Sequence, residues 1–232
     1  MSNLVIGIEG LVGAGKTSIC RELLKRVPNT ILVNGGNIYR AIVYTMMKNG
    51  KKLEELKKAG KSLDIKEMMD LFKIQIKIEN QETILYMGEE KIDEELLQSK
   101  EASMAVSVIG GSADNRSLFT FAKNLVNELR EKYHVILAGR STMKIYPECD
   151  YHLFIVASLE ERVKRKCIQY GNKAKTEEIR ENIEKRDKLQ EEAGFYDYSP
   201  ITIEIDVTNC NSIETATDLV LSKIKLPELL TT

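Results

Sequence analysis

Proline is scarce in this chain, four residues in 232, and no stretch is rich in Gly, Pro or Ser. Collagenous, disordered and low-complexity architectures are therefore excluded. Cysteine is as sparse: Cys20, Cys149, Cys167 and Cys210 stand far apart, so the spacing encodes no disulfide scaffold. His152 lies near Cys149, but no second ligand pair completes a zinc site. Neither sign of charge dominates, since 34 Lys and Arg oppose 35 Asp and Glu for a formal net charge of -1. Nothing pulls the whole chain toward nucleic acid or an anionic membrane, and any basic site must be local. Long apolar runs are missing too. Residues 135–138 and 153–157 fall far short of a bilayer span, and residues 4–8 break off too early for a signal-peptide core. The expectation is a cytoplasmic protein with reduced thiols, acting as a monomer with no nucleic-acid or membrane partner.

What is present is a globular composition, 43% hydrophobic and 30% charged, in a chain long enough for one domain spanning 1–232 with an inserted subdomain. Residues 4–8 form a β-branched run closed by Glu9-Gly10, after which Ile19, Cys20, Leu23, Leu24 and Val27 recur at helical spacing. Pro28 stops that helix; residues 30–33 read as the next strand, and Ile38, Ile42, Val43, Met46 and Met47 mark a second helix ending at Asn49-Gly50. The pattern then changes. Ile74, Ile76 and Ile78 alternate with polar residues and are answered by residues 83–87, a small antiparallel hairpin. Helical stripes follow from Ala102 and again from Arg116. Strand-like residues 134–138 and 151–157 come next, then helices over 159–170 and 176–192, a strand over 201–207 and a last helix, with Asn211 and Glu214 spaced as a capping box. Five buried-type strands separated by helices predict an α/β fold with a five-stranded parallel sheet flanked by helices, and residues 62–116 read as an insertion.

One motif carries chemistry. Gly10-Leu11-Val12-Gly13-Ala14-Gly15-Lys16-Thr17 fits G-x-x-x-x-G-K-[ST], directly after a strand and opening a helix, as a phosphate loop must. Glycines let backbone N–H groups wrap a polyphosphate, and the helix N-terminus adds its positive dipole end. Gly10, Gly13, Ala14, Gly15, Lys16, Thr17 and Ser18 are the candidate triphosphate contacts, with Lys16 reaching the β- and γ-phosphates and the Thr17 hydroxyl on Mg2+. Asn172-Lys173-Ala174-Lys175 lacks the acid of a guanine-reading element, which argues against a GTPase switch.

Val33-Asn34-Gly35-Gly36-Asn37-Ile38-Tyr39-Arg40 resembles the G-x-I-Y-R segment of bacterial cytidylate kinases. The hairpin with Lys91-Ile92-Asp93 and residues 101–116 is similar to that family's enlarged acceptor-binding insert. Ala138-Gly139-Arg140 resembles its G-R, Glu160-Glu161-Arg162 with Arg165 and Lys166 its lid helix, and Arg186-Asp187 its later R-D. The resemblance implies a P-loop kinase fold in which residues 62–116 bind a nucleoside monophosphate and residues 158–192 form a helical lid. It further implies ATP-dependent phosphorylation of a pyrimidine nucleoside monophosphate, CMP or dCMP. Gly35, Arg40 and Arg140 would surround the acceptor phosphate, with Tyr39 beside them. Ser107 and Arg116 would face the pyrimidine and Arg186 the sugar, while Arg162 and Arg165 close over the transferring phosphoryl. The implied catalytic set is thus Lys16, Arg140, Arg162 and Arg165. Such a cluster suits the reaction, because guanidinium forks are good planar partners for phosphate oxygens and phosphoryl transfer asks mainly for positioning and charge neutralisation.

The chain also departs from that pattern. Ala138 and Ser141 stand where family members carry acids on either side of the G-R pair, Gln190 and Ala193 where they carry an acid and an arginine, and Glu9 where they carry Asp. Ile8-Glu9-Gly10 and Gly139-Arg140-Ser141 also resemble segments of deoxynucleoside kinases. A deoxynucleoside or thymidylate kinase and a non-catalytic nucleotide-binding regulator therefore stand beside the leading reading.

Overall fold

The short apolar runs fold as strands and the stripes of helical period fold as helices. The computed structural model describes residues 3–50, 65–97, 116–171, 175–196 and 198–224. In chain order the elements are β1 (Val5–Gly10), α1 (Lys16–Arg26), β2 (Thr30–Asn34), α2 (Gly35–Lys48), α3 (Ile65–Leu71), β3 (Ile74–Glu79), β4 (Glu82–Met87), β5 (Glu90–Lys91), α4 (Glu94–Leu97), α5 (Arg116–Arg130), β6 (His134–Ala138), α6 (Thr142–Ile145), β7 (Tyr151–Val156), α7 (Leu159–Gln169), α8 (Thr176–Glu192), β8 (Thr202–Asp206) and α9 (Ile213–Leu221). They form two units, Met1–Leu32 with Tyr133–Thr232, and Val33–Lys132.

In the first unit β1 is buried along its whole length and pairs in parallel with β6 on one side and β7 on the other. The register sets Val5 against Val135 and Ile6 against Tyr151. Beyond β7 lies β8, also parallel, with His152 opposite Thr202, and residues 30–32 of β2 lie beside β6. Continuous apolar strands are what a parallel sheet covered on both faces requires. One face packs Ile6, Ile8, Leu153, Ile155 and Ile205 against Ile19, Cys20 and Leu23 of α1 and Ala216 and Val220 of α9. The residues that alternate with these on β1 and β7, Glu9, His152 and Phe154, project to the opposite face and are equally buried.

The second unit has its own core, built from Ile38, Ala41, Ile42 and Met46 of α2, Met69 of α3 and the hairpin's Ile74 and Leu85. The hairpin pairs Ile74 with Met87 and closes Glu79 on Glu82. Asn80 and Gln81 both have positive φ, 48° and 65°, the two-residue turn whose twist matches its strands.

The α/β class and the mostly parallel sheet agree with the sequence. Two details do not. The strand count among the described residues is eight, because β5 adds two residues to the hairpin by pairing with β4, a run too short to show periodicity. The capping box of α9 sits one residue later than Asn211 and Glu214: Ser212 Oγ accepts from the Thr215 N–H and Thr215 Oγ1 from the Ser212 N–H, both at 3.2 Å.

Candidate active site

The turn after β1 is forced by sterics. Gly10 has φ 144° and runs so close to β7 that a Cβ there would sit 2.0 Å from the Ile155 carbonyl oxygen, so only glycine fits. Gly15, at φ 98°, then redirects the chain into α1, whose first residue is Lys16. The early part of the loop is tied down. Leu11 N–H donates to Ile155 O at 3.0 Å and Ala14 N–H to Leu11 O at 3.3 Å. Among the described residues, the N–H groups of Gly13, Gly15, Lys16, Thr17 and Ser18 make no hydrogen bond. A run of unengaged donors at a helix start is an anion cradle.

The Lys16 ammonium folds back over the loop and donates to Gly10 O at 2.7 Å and Leu11 O at 2.9 Å. Its pKa is pulled down to about 8, first by removal from solvent and then by the positive charge of Arg140, with Arg186 adding to it. Arg186 also helps depress Lys166, after burial. Lysines whose charge is disfavoured by burial and by neighbouring arginines mark a place suited to an anion. Thr17 and Ser18 are exposed at the start of α1.

Two helices brace the loop from outside. Val12 packs with Val163 of α7 and Ile179 and Ile183 of α8. Its N–H donates to Asp187 Oδ1 at 3.0 Å, and its carbonyl accepts from Arg162 Nη1 at 3.1 Å. Arg162 is buried; the same Nη1 is ion-paired with Asp187 Oδ2, and Nε donates to Ala157 O at 3.0 Å. Arg165 donates to Ala14 O at 3.1 Å, Val207 O at 2.8 Å and Glu161 Oε1 at 3.0 Å. Tyr196 O–H donates to Asp187 Oδ1 at 2.7 Å, and burial together with that carboxylate raises the phenol's pKa, so it stays a donor.

Beneath the loop, on the opposite face of β1 from α1, Glu9 is almost wholly buried. Its Oε1 accepts from the Thr142 N–H and from Thr142 Oγ1, the latter at 2.8 Å, and lies 3.4 Å from His152 Nε2. Glu9 Oε2 and the buried Ser141 hydroxyl have no hydrogen-bond partner among the described residues. Arg140 lies half-buried at the end of β6, its guanidinium carbon 5.6 Å from the centre of the Phe195 ring. Ala138 and Gln190, two of the departures from the family pattern, are buried.

The structure thus gathers Lys16, Arg140, Arg162, Arg165 and Arg186 in the first unit. In the second, Gly35 is the buried first residue of α2, and Arg40 on the same helix is half-buried with Nη1 3.5 Å from Leu97 O. Tyr39 and Arg116 lie in α2 and at the start of α5, their side chains outside the described residues, as is Ser107 altogether. Sequence reasoning carried Arg186 into the site but not Asp187, Tyr196 or Phe195. Asp187 was visible in the R-D pair; its target, 175 residues away, was not.

A cytidylate kinase family model matches residues 6–226. The cytidylate kinase of Clostridioides difficile strain 630 is 31% identical over 235 residues, covering 97% of this chain and all of that one. That of Leuconostoc mesenteroides is 29% identical over 97% of this chain and 96% of its own length. For Bacillus licheniformis the figures are 28% and 92% of each. With a glycine cradle, a lysine at its rim and arginines converging on it, a match over nearly the whole length settles the assignment: the chain belongs to the cytidylate kinase family and is a nucleoside monophosphate kinase.

Proposed function

We propose that the protein transfers the γ-phosphoryl group of ATP to CMP or dCMP. An acceptor phosphate oxygen forms the new bond to the γ-phosphorus as the bond from that phosphorus to the β–γ bridging oxygen breaks, giving ADP and the nucleoside diphosphate. The observation that carries this reading is the Lys16 ammonium, held in the loop and depressed by burial and by Arg140 and Arg186. Phosphoryl transfer spreads negative charge over oxygens, and such a cluster stabilises it without a covalent nucleophile. In this reading the unengaged N–H groups of Gly13, Gly15, Lys16, Thr17 and Ser18 take the donor phosphates. Gly35, Arg40 and Arg140 take the acceptor phosphate, Tyr39 lies beside them, Arg186 approaches the sugar, and Ser107 and Arg116 face the base. Arg165 exchanges backbone carbonyls for phosphoryl oxygens, while Arg162 acts through the loop it braces.

The exposed Thr17 hydroxyl at the cradle's end suits Mg2+, and Glu9 Oε2, a buried carboxylate oxygen with no partner among the described residues, suits a water bound to it. Bound there, the ion would neutralise phosphate oxygens; the positioning falls to Lys16 and the arginines.

The test is ADP release from Mg-ATP with CMP, dCMP, UMP, dTMP, AMP and the free nucleosides as acceptors. CMP or dCMP is expected to give the highest kcat/KM. Turnover of nucleosides but not monophosphates, or of dTMP alone, would replace the reading with a deoxynucleoside or thymidylate kinase; ATP binding without any turnover would leave a regulator. Arg140→Ala is expected to raise the acceptor KM and lower kcat by about 10²-fold with ATP binding retained. Unchanged kinetics would remove Arg140 from the site.

A further inference from the structure

We infer that Asp187 is a positioning residue for the donor loop. This rests on the reading that the loop takes the donor triphosphate. Asp187 stands on α8, outside the loop, yet its carboxylate joins three separate elements. Oδ1 accepts the Val12 N–H at 3.0 Å and the Tyr196 hydroxyl at 2.7 Å, and Oδ2 pairs with Arg162 of α7. Arg162 in turn donates to Val12 O at 3.1 Å. Both polar groups of one loop residue are thus held by the two members of a single ion pair, and its side chain is enclosed by Val163, Ile179 and Ile183.

A residue fixed at N–H, C=O and side chain cannot rotate its flanking peptide planes. Those planes set the direction in which Gly13 and the following N–H groups point, because the rest of the loop is built from them in sequence. Neutral amides would fill the same space, but Arg162 is 7% exposed and needs a counter-charge there. A carboxylate is therefore the group that shapes the loop while keeping a buried guanidinium satisfied. It also spends the Val12 N–H on Asp187, leaving Gly13, Gly15, Lys16, Thr17 and Ser18 as the donors for a ligand.

The experiment measures ATP binding by calorimetry and the KM of donor and acceptor separately, in Asp187→Asn and, as the milder change, Tyr196→Phe. Asp187→Asn is expected to weaken ATP about tenfold and to change the acceptor KM less than about twofold; Tyr196→Phe, which removes one hydrogen bond, is expected to weaken ATP about two- to threefold. In the wild type the Val12 amide proton, bonded to a carboxylate, is expected downfield in a 1H–15N spectrum and to move upfield in Asp187→Asn. A folded Asp187→Asn protein that binds ATP as the wild type does overturns the inference. So does an equal rise in both KM values, which marks a merely structural role. If Asp187→Asn does not fold, Tyr196→Phe decides, and wild-type ATP affinity in it is the overturning result. A wild-type protein that fails to bind ATP sinks the donor-loop reading itself, an outcome distinct from either variant's.

Discussion

Lys16 is a cation held where being a cation is costly. Burial and Arg140 bring its pKa to about 8, against an ordinary 10.5. Below pH 8 the lysine is charged in both folded and unfolded chains, and its desolvation opposes folding in full. Between pH 8 and 10.5 the unfolded chain holds more protons, so this opposition fades and stability rises with pH at that group. A bound polyphosphate reverses the local field and restores the proton. At pH 8.5 ATP binding is therefore expected to make Lys16 take up as much as about three quarters of a proton, and at pH 6.5, where the lysine is already charged, none. Calorimetry in two buffers of different ionisation enthalpy measures it, and Lys16→Met should abolish it. Binding at pH 8.5 with no proton uptake would mean that the phosphates do not reach Lys16. The cradle itself was legible in the sequence because it is local: eight consecutive residues state the turn, the lysine and the helix start. Asp187 and Glu9 were not legible in the same way. Their partners Val12, Thr142 and His152 are brought to them by strand register and helix packing, over separations of 133 to 175 residues.

Among elements, the helix and strand periodicities translated almost residue for residue, as in α8, expected over 176–192 and found as Thr176–Glu192. What was missed was short or degenerate, and it includes α3 and α4, of seven and four residues. α6 and β5 span four and two residues, below the length at which a period can be read. The cap of α9 fell on the wrong residue because Asn211 and Ser212 are both capping residue types, and the geometry of Thr215 decides between them. Local chemistry also leaves strain. Lys73, between α3 and β3, has φ 52°, a left-handed conformation that costs a side-chain-bearing residue about 1–2 kcal/mol. Lys73→Gly removes that cost but adds chain entropy to the unfolded state, for an expected net gain of about 0.5–1 kcal/mol in urea denaturation. A loss of stability there would show that the Lys73 side chain contributes contacts outweighing the strain.

At the scale of the molecule, each of the two units carries its own core, and the phosphate loop belongs wholly to the first. No helix among the described residues is long and apolar enough to cross a membrane. A ligand that binds the folded chain alone raises its stability by mass action, about 2.7 kcal/mol at a hundredfold excess over Kd. ATP is accordingly expected to raise the melting temperature of the wild type. With Lys16→Met the shift should be much smaller, and hydrogen exchange should show the added protection centred on residues 10–26. Protection confined to residues 33–50 would place the nucleotide in the second unit instead. The motif G-x-x-x-x-G-K-[ST] leaves its third position unspecified, yet here Val12 is nested among Val163, Ile179 and Ile183. A loop grafted in from another nucleotide enzyme would arrive without its socket, so transplanting donor preference means moving the two helices along with the eight residues they hold.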